Sequence, residues 1–459
     1  MESRTKPQPL STKETGMSAL QGSEQVSDAS SLIRPMSSLT VTRRLVDSDP
    51  DEVFELIRLF QEDSSIQKVD LGIGVYRDDD GKPWPLPVVS KVEMKLFFDG
   101  GRHRHEYLPM KGDPEFMKLA QDLLFGPGLD DIPVPETDGR TRIVSVQTTG
   151  GCGANTVCAK YIANHLKPKR VWLPEFTWSN HPSTWKLDGA ALETYRYILP
   201  GQPVFDVNSM RFDLEERAEP GDIVILHACA HNPTGCDPTE KQWEMIADVC
   251  DRLGLVPFFD CAYQGFASGS VDQDAFSIRH FFLRNFKTGF FVAQSFSKNF
   301  GLYGHRVGAL HVVMHSDAVS ERDAVEQQLS RIIRDEHSMA PRRGSDIVKN
   351  ILRYEHFTAE WLRDLSTMVF RLNDMRQMLY EHLVGMRTPG NWDHIVDQKG
   401  MFAFTGLTKE QVIALREKHH VYLLSNGRIS LSGLTTRNVR YVAEAIDDVV
   451  RTVCPEKES

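Results

Sequence analysis

The sequence predicts an α/β fold, a mainly parallel sheet with helices on both faces. Between about residues 140 and 315, short apolar runs of strand length alternate with stretches of helical periodicity. These runs are apolar throughout, as in strands buried on both faces, and lack the in–out alternation of a half-exposed sheet. The 459 residues exceed what one hydrophobic core accommodates, so two domains or more are expected.

The elements follow in order. Residues 1–40, rich in Ser, Thr, Gln and Pro, read as a disordered leader. Its acids Glu2, Glu14, Glu24 and Asp28 balance Arg4, Lys6, Lys13 and Arg34, unlike an Arg-rich transit peptide, and it lacks a secretory apolar core. A helix is predicted over 50–63, with Asp49 as cap, Pro50 in the first position and Glu52 closing a capping box. Val53, Leu56, Ile57 and Phe60 form its inner face. Strands are predicted at Ile143–Gln147, Arg170–Leu173, Ile223–His227, Val256–Asp260, Phe290–Gln294 and Gly308–Val313. Another helix is expected after Asp237 as cap, Pro238 and Glu240, with Trp243, Ile246, Ala247 and Cys250 as its buried stripe.

Composition narrows the function. A hydrophobic fraction of 41% and a charged fraction of 25% are ordinary for a soluble globular protein. The net charge of −10 argues against a nucleic-acid surface, and no apolar run approaches membrane-spanning length. The seven cysteines show no CxxC pairing and read as reduced thiols, neither a disulfide framework nor a metal site. Cytoplasm is the expected location, with no nucleic-acid or membrane partner.

In an open parallel sheet, ligands bind beyond the carboxyl ends of the strands, and polar residues gather at those ends here. Lys298 follows Phe290–Gln294 within Ser295-Phe296-Ser297-Lys298-Asn299-Phe300-Gly301. A lysine held against an apolar strand end can react as a free amine with an aldehyde. Ser295 and Arg306 supply phosphate donors. Lysine plus phosphate clamp describes a site for pyridoxal 5'-phosphate (PLP). Asp260 is placed to keep the cofactor's pyridine nitrogen protonated, although a strand-end Asp also serves as a cap or turn residue. Tyr263 and Asn232 can reach the ring oxygen, with a plain Asn-Pro turn as the alternative for Asn232. Trp178 offers a face for stacking, or simply packs in the core. Gly150-Gly151-Cys152-Gly153 opens a helix after a strand, where backbone N–H groups can cradle a phosphate; a glycine-rich turn competes equally. It matches neither nucleotide-binding glycine motif.

Several ordered segments resemble the aspartate/aromatic aminotransferases of the fold-type-I PLP family. They are Ser295–Tyr303, His227-Ala228-Cys229-Ala230-His231-Asn232-Pro233-Thr234-Gly235, Leu71–Arg77, Tyr107–Gly112, Gly400–Leu407 and Asn426–Ile429. The resemblance spans about residues 41–454. It implies a large PLP-binding domain at 84–360 with a seven-stranded type of sheet, and a smaller α/β domain made from 41–83 and 361–454. It implies that Lys298 forms the Schiff base and shuttles a proton, with Asp260 on the pyridinium and His181 behind it. Gly151, Cys152, Ser295 and Arg306 would hold phosphate, which Tyr107 would reach from the other subunit of a homodimer. Trp178, Asn232 and Gly74 would meet substrate, Arg428 would clamp its α-carboxylate, and Arg334 would cross from the partner to a second carboxylate.

Two departures bear on specificity. Gly150-Gly151-Cys152-Gly153 stands where aspartate-specific members commonly have Ser-Gly-Thr-Gly, and His337-Ser338-Met339-Ala340-Pro341 replaces Tyr-Ser-Asn-Pro-Pro. Both lean toward aromatic donors. The expected reaction is ping-pong transfer of the amino group of an aromatic L-amino acid or aspartate to 2-oxoglutarate. The alternatives are a strict aspartate aminotransferase, a PLP lyase or decarboxylase, and a non-catalytic relative of the fold.

Overall fold

The computed structural model describes residues 51–99, 105–131, 133–134, 137–199 and 202–453. The leader, Asp49, Pro50 and Cys454 lie outside the described residues. One seven-stranded sheet holds β1 (Ile143–Thr149), β2 (Arg170–Pro174), β3 (Ala191–Tyr195), β4 (Ile223–His227), β5 (Val256–Cys261), β6 (Phe290–Ser295) and β7 (Val307–Val313). Their spatial order is β1-β7-β6-β5-β4-β2-β3. Only β7 runs antiparallel, against β6 on one side and β1 on the other. The carboxyl ends of the other strands therefore share one edge, and β7 starts from it.

Each face of the sheet buries its own core. On one, Val144, Ile223, Phe258 and Ala293 pack beneath helix α2 (Gly150–His165) and the later helix Arg322–Glu336. On the other, Trp172, Leu226, Phe259 and Val292 meet helix α3 (Glu240–Leu253) through Trp243, Ile246, Ala247 and Cys250. A fully buried side chain such as Phe259 contributes roughly 1.5–3 kcal/mol. The edge strand β3 escaped the sequence reading because Ala191, Leu192 and Thr194 are exposed, which breaks the continuous apolar run.

Two helix starts differ from expectation. The first helix, α1, spans Glu52–Glu62, and its cap is Asp51, whose carboxylate accepts from the Val53 and Phe54 amides. Asp51 sits one residue before the helix, where a short carboxylate reaches the unpaired N–H groups of the first turn. Helix α3 is capped by Thr239 in a box with Gln242, instead of by Asp237 with Glu240. Asp237 faces the preceding loop instead.

Beyond the sheet, Val69–Asp70 pairs in parallel with Val421–Tyr422, and Phe402–Phe404 pairs antiparallel with Arg428–Ser430. These ladders pack on the 31-residue helix Glu355–Gly385 through Leu71, Phe402 and Ile429 against Trp361, Leu365 and Leu372. They bring Arg428 over the carboxyl edge of the sheet.

Candidate active site

One cavity at that edge is lined by Gly151, Cys152, Trp178, His227, Asn232, Asp260, Tyr263, Ser295, Lys298 and Arg306. Five segments distant in sequence meet there because parallel strands deliver their following loops to the same side.

Lys298 is half-buried between the buried Ser297 and Asn299. Burial lowers the pKa of its amine, and the charges of Arg306 and Arg428 push the same way. Its Nζ lies 5.7 Å from the Tyr263 ring centre and 5.8 Å from that of Tyr303. Burial pushes the Tyr263 hydroxyl pKa up.

Asp260 is buried, and burial alone would raise its pKa. Hydrogen bonds from His181 at 3.0 Å and Asn155 at 3.4 Å outweigh that and keep the pKa low. Behind them runs a chain with one direction. The Asn232 amide donates to His227 Nδ1 at 3.4 Å, which leaves the His227 proton on Nε2 to meet Thr177 Oγ1 at 3.2 Å. The Thr177 hydroxyl then donates to His181 Nδ1 at 2.7 Å, and His181 Nε2 donates to Asp260. Burial pushes the His227 pKa down to about 3, so this ring is neutral near pH 7. Thr177, His227 and Asn155 were not picked out from sequence. The visible signal was His227 at a strand end in register with Asp260.

At the opposite end of the cavity, α2 begins at Gly150 with φ +72°, and its N-cap Thr149 makes no side-chain cap bond. A Cβ on Gly150 would stand 2.7 Å from Arg306 Nη2, and one on Gly151 would stand 3.1 Å from Ser295 Cβ. Arg306 donates to the Tyr303 carbonyl at 3.0 Å and lies 3.4 Å from the Thr149 carbonyl and from Ser297 Oγ. Among the described residues, no carboxylate pairs with Arg306. An uncapped helix start, a cradle open only to glycine and an acid-free guanidinium together suit a phosphate. The residues present therefore fit PLP at both ends.

Arg428 is buried; its Nη2 donates to the Gly72 carbonyl at 2.6 Å and its Nη1 to Asn232 Oδ1 at 3.2 Å, with the guanidinium 4.1 Å from the Phe402 ring centre. Burial brings its pKa down to about 10, and its Nε has no partner. Such a group is set for a carboxylate. Gly72, which the sequence reading did not single out, holds the guanidinium, while a Cβ on Gly74 would stand 3.0 Å from the Phe402 ring.

Of the expected site residues, His181, Gly74, Arg428, Tyr107 and Arg334 do not line this cavity; His181 adjoins it through Asp260 and Arg428 through Asn232, whereas Tyr107 and Arg334 lie on the outside of the chain. Tyr107 is 84% exposed, and Arg334 is exposed with its guanidinium on Ser338 Oγ. Met339 accepts the Leu108 amide at 3.0 Å beside Tyr107, and Ala340 is buried. The altered segment thus braces the Tyr107 loop and is absent from the cavity wall of its own chain.

Comparison with known proteins agrees with this geometry. Residues 66–446 match the family described as aminotransferase class I and II. The chain is 46% identical to an L-tyrosine:2-oxoglutarate aminotransferase of Aspergillus ustus, over 87% of this chain and 76% of that protein. It is 42% identical to a cytoplasmic aspartate aminotransferase of Saccharomyces cerevisiae, over 88% of this chain and 95% of the other. The solved structure of the cytoplasmic aspartate aminotransferase of that yeast superposes with a TM-score of 0.86 at 41% identity, covering 91% of this chain and 100% of the other. An aromatic-amino-acid aminotransferase from Burkholderia pseudomallei, solved covalently bound to pyridoxal phosphate, superposes with a TM-score of 0.83 at 35% identity, covering 90% and 100%. The chain belongs to the class I and II aminotransferases and is a PLP-dependent transaminase.

Proposed function

We propose that this enzyme moves the amino group of an aromatic L-amino acid or aspartate to 2-oxoglutarate, and that the residues at the strand ends do the work. The observation that carries the reading is one cavity that holds Lys298 with the buried Asp260 and with Arg306, which pairs with no carboxylate among the described residues. PLP, when bound, supplies an electron sink that makes the substrate's Cα proton removable. Lys298, more easily unprotonated than a free lysine, moves that proton at Cα. Asp260 holds a proton on the pyridine nitrogen, and His181 keeps the carboxylate oriented and ionised. Asn232 and Tyr263 bind the ring oxygen, and Trp178 stacks on the ring. Gly151, Cys152, Ser295 and Arg306 bind phosphate. Arg428 takes the α-carboxylate, with Gly74 near the substrate.

A homodimer is part of this proposal. Exposure of Tyr107 and Arg334 outside the cavity supports it, since both roles then fall to a neighbouring chain: Tyr107 on phosphate and Arg334 on a second carboxylate. The division into a small domain of 41–83 with 361–454 and a large one of 84–360 is likewise proposed, supported by the short ladders pairing apart from the seven-stranded sheet. Cytoplasmic location is supported by the charge balance of residues 1–40 and by cytoplasmic enzymes among the relatives. No helix of the described residues is long and apolar enough to cross a membrane.

The lean to aromatic donors is supported by Gly150, where the missing side chain opens the phosphate end, and by the tyrosine-named relative. The test is a half-reaction panel that follows the colour of the purified holoenzyme with each L-amino acid in turn. Rapid bleaching by tyrosine, phenylalanine or tryptophan is expected. Bleaching by aspartate alone would replace this reading with a strict aspartate enzyme.

A further inference from the structure

Asn232 and Tyr263 sit on loops, not on strands, so something must hold those loops in place. The first loop leaves β4 and turns through Ala230, a non-glycine residue with φ +47°. Both oxygens of Asp237 reach back into it: Oδ2 accepts the Ala230 amide at 2.7 Å and Oδ1 accepts the His231 amide at 2.9 Å. The second loop leaves β5, carries Tyr263, and turns through Gly265 with φ +95°. Buried Asp274 accepts the Gly265 amide at 2.8 Å and the Ala267 and Ser268 amides at 2.9 Å each, along with the Ser268 hydroxyl at 2.6 Å. That loop also supports the lysine segment, because Asn299 donates to the Gln264 carbonyl at 3.2 Å.

We infer that Asp237 and Asp274 are positioning residues for transamination, each gathering the amides of one loop onto a single carboxylate so that Asn232 and Tyr263 stand fixed at the cofactor. The inference rests on the reading of Asn232 and Tyr263 as ligands of the cofactor's ring oxygen. Neither aspartate lines the cavity, and neither caps the helix that follows it in sequence. Keeping these two acids inside the protein has a cost. Burial pushes the Asp237 carboxyl up to about 6 against the pull of the His231 and Ala230 amides, and Asp274 adds to the rise while Lys399 offsets it. Burial likewise raises Asp274. An ionised carboxylate has two acceptor oxygens, no donor of its own to satisfy, and stronger charge-assisted bonds than a neutral hydroxyl, so it suits the gathering of several amides.

The test uses the PLP-loaded enzyme and two readouts besides turnover: the pH midpoint of the bound cofactor's colour change, and retention of PLP on dialysis. Asp237→Asn is expected to move the midpoint in the same direction as Asn232→Ala and to weaken PLP retention by about tenfold, as loss of an outer support commonly does. In the double variant Asn232→Ala/Asp237→Asn the midpoint should move no further than in Asn232→Ala. Because glycine adopts positive φ freely, Ala230→Gly should restore much of the midpoint in the Asp237→Asn background, and it gives a second variant should Asp237→Asn fold poorly. Asp274→Asn, read against Tyr263→Phe, is the parallel arm. A lower melting temperature with an unmoved midpoint would make both aspartates merely structural and overturn the proposal. An unmoved midpoint in Asn232→Ala itself would instead remove the ring-oxygen reading, and the proposal with it.

Discussion

The two ends of the proposed substrate path are built differently. At the inner end, Lys298, Asp260, Asn232, Tyr263 and Arg306 line one cavity of a single chain, Arg428 adjoins it through Asn232, and the relay from His227 to Asp260 runs behind it. At the outer end, Tyr107 and Arg334 lie exposed on the same chain, with Met339 on the Leu108 amide and the Arg334 guanidinium on Ser338. The inner end must hold charges away from water, and only a packed interior fixes their positions that closely. The outer end needs only to present donors to whatever surface covers it. On the proposed roles, chemistry common to all substrates would sit in the buried part, and discrimination among substrates where a neighbouring chain would complete the site.

The largest effect tests the inner end alone. Lys298→Ala should abolish multiple turnover while the protein folds and keeps some PLP noncovalently; steady-state assays near the parent rate would rule out the lysine's role. Crossing the two ends is more informative. Chains carrying Lys298→Ala and chains carrying Arg334→Ala should each fail with dicarboxylate substrates, yet co-expressed mixtures should regain activity, because one site of each hybrid keeps both groups. No complementation would break the comparison by placing Arg334 in its own chain's site.

Next in size are the two arginines. Arg428→Ala should lower kcat/KM for aspartate and aromatic donors alike. Arg334→Ala should depress aspartate and 2-oxoglutarate by roughly 2–5 kcal/mol, as for truncation of one member of a buried charge pair. It should leave the aromatic half-reaction within about 1.4 kcal/mol, a tenfold change. Equal losses on both donor types would erase the distinction between the ends.

Asp260→Asn should cost about 3 kcal/mol of transition-state stabilisation, and Asp260→Glu less, because the charge survives. If the two variants are equally slow, Asp260 acts through its position and not its charge.

The smallest effect concerns acid stability. His227 has its pKa pushed from 6.5 down to about 3 by burial, so between those values the folded state binds fewer protons than the unfolded chain. Its contribution is full above about pH 6.5 and is lost as pH falls toward 3. His227→Asn should flatten that part of the acid-unfolding curve, measured by circular dichroism. An unchanged slope would mean that other groups carry the acid transition.

Six of the seven sheet strands were legible because a run of apolar residues buried on both faces leaves a local signature, and β3 was not because one side of an edge strand meets water. Lys298, Asp260 and the glycine turn were legible because chemistry at strand ends leaves short, ordered motifs. Arg428 and Arg334 could be assigned from sequence only by resemblance, since nothing local separates a buried clamp from a surface charge. Asp237 shows the limit best. Its neighbours Pro238 and Glu240 make it look like a helix cap, yet its carboxylate turns to the Ala230 and His231 amides, and Thr239 takes the cap. The order of residues by itself determined which segments become strands and which polar groups ride at their ends, because hydrophobic period and motif are properties of neighbouring residues. Only the tertiary structure decided which amide each carboxylate holds and which of the expected side chains meet in one cavity, because those choices depend on distances between loops that are far apart along the sequence.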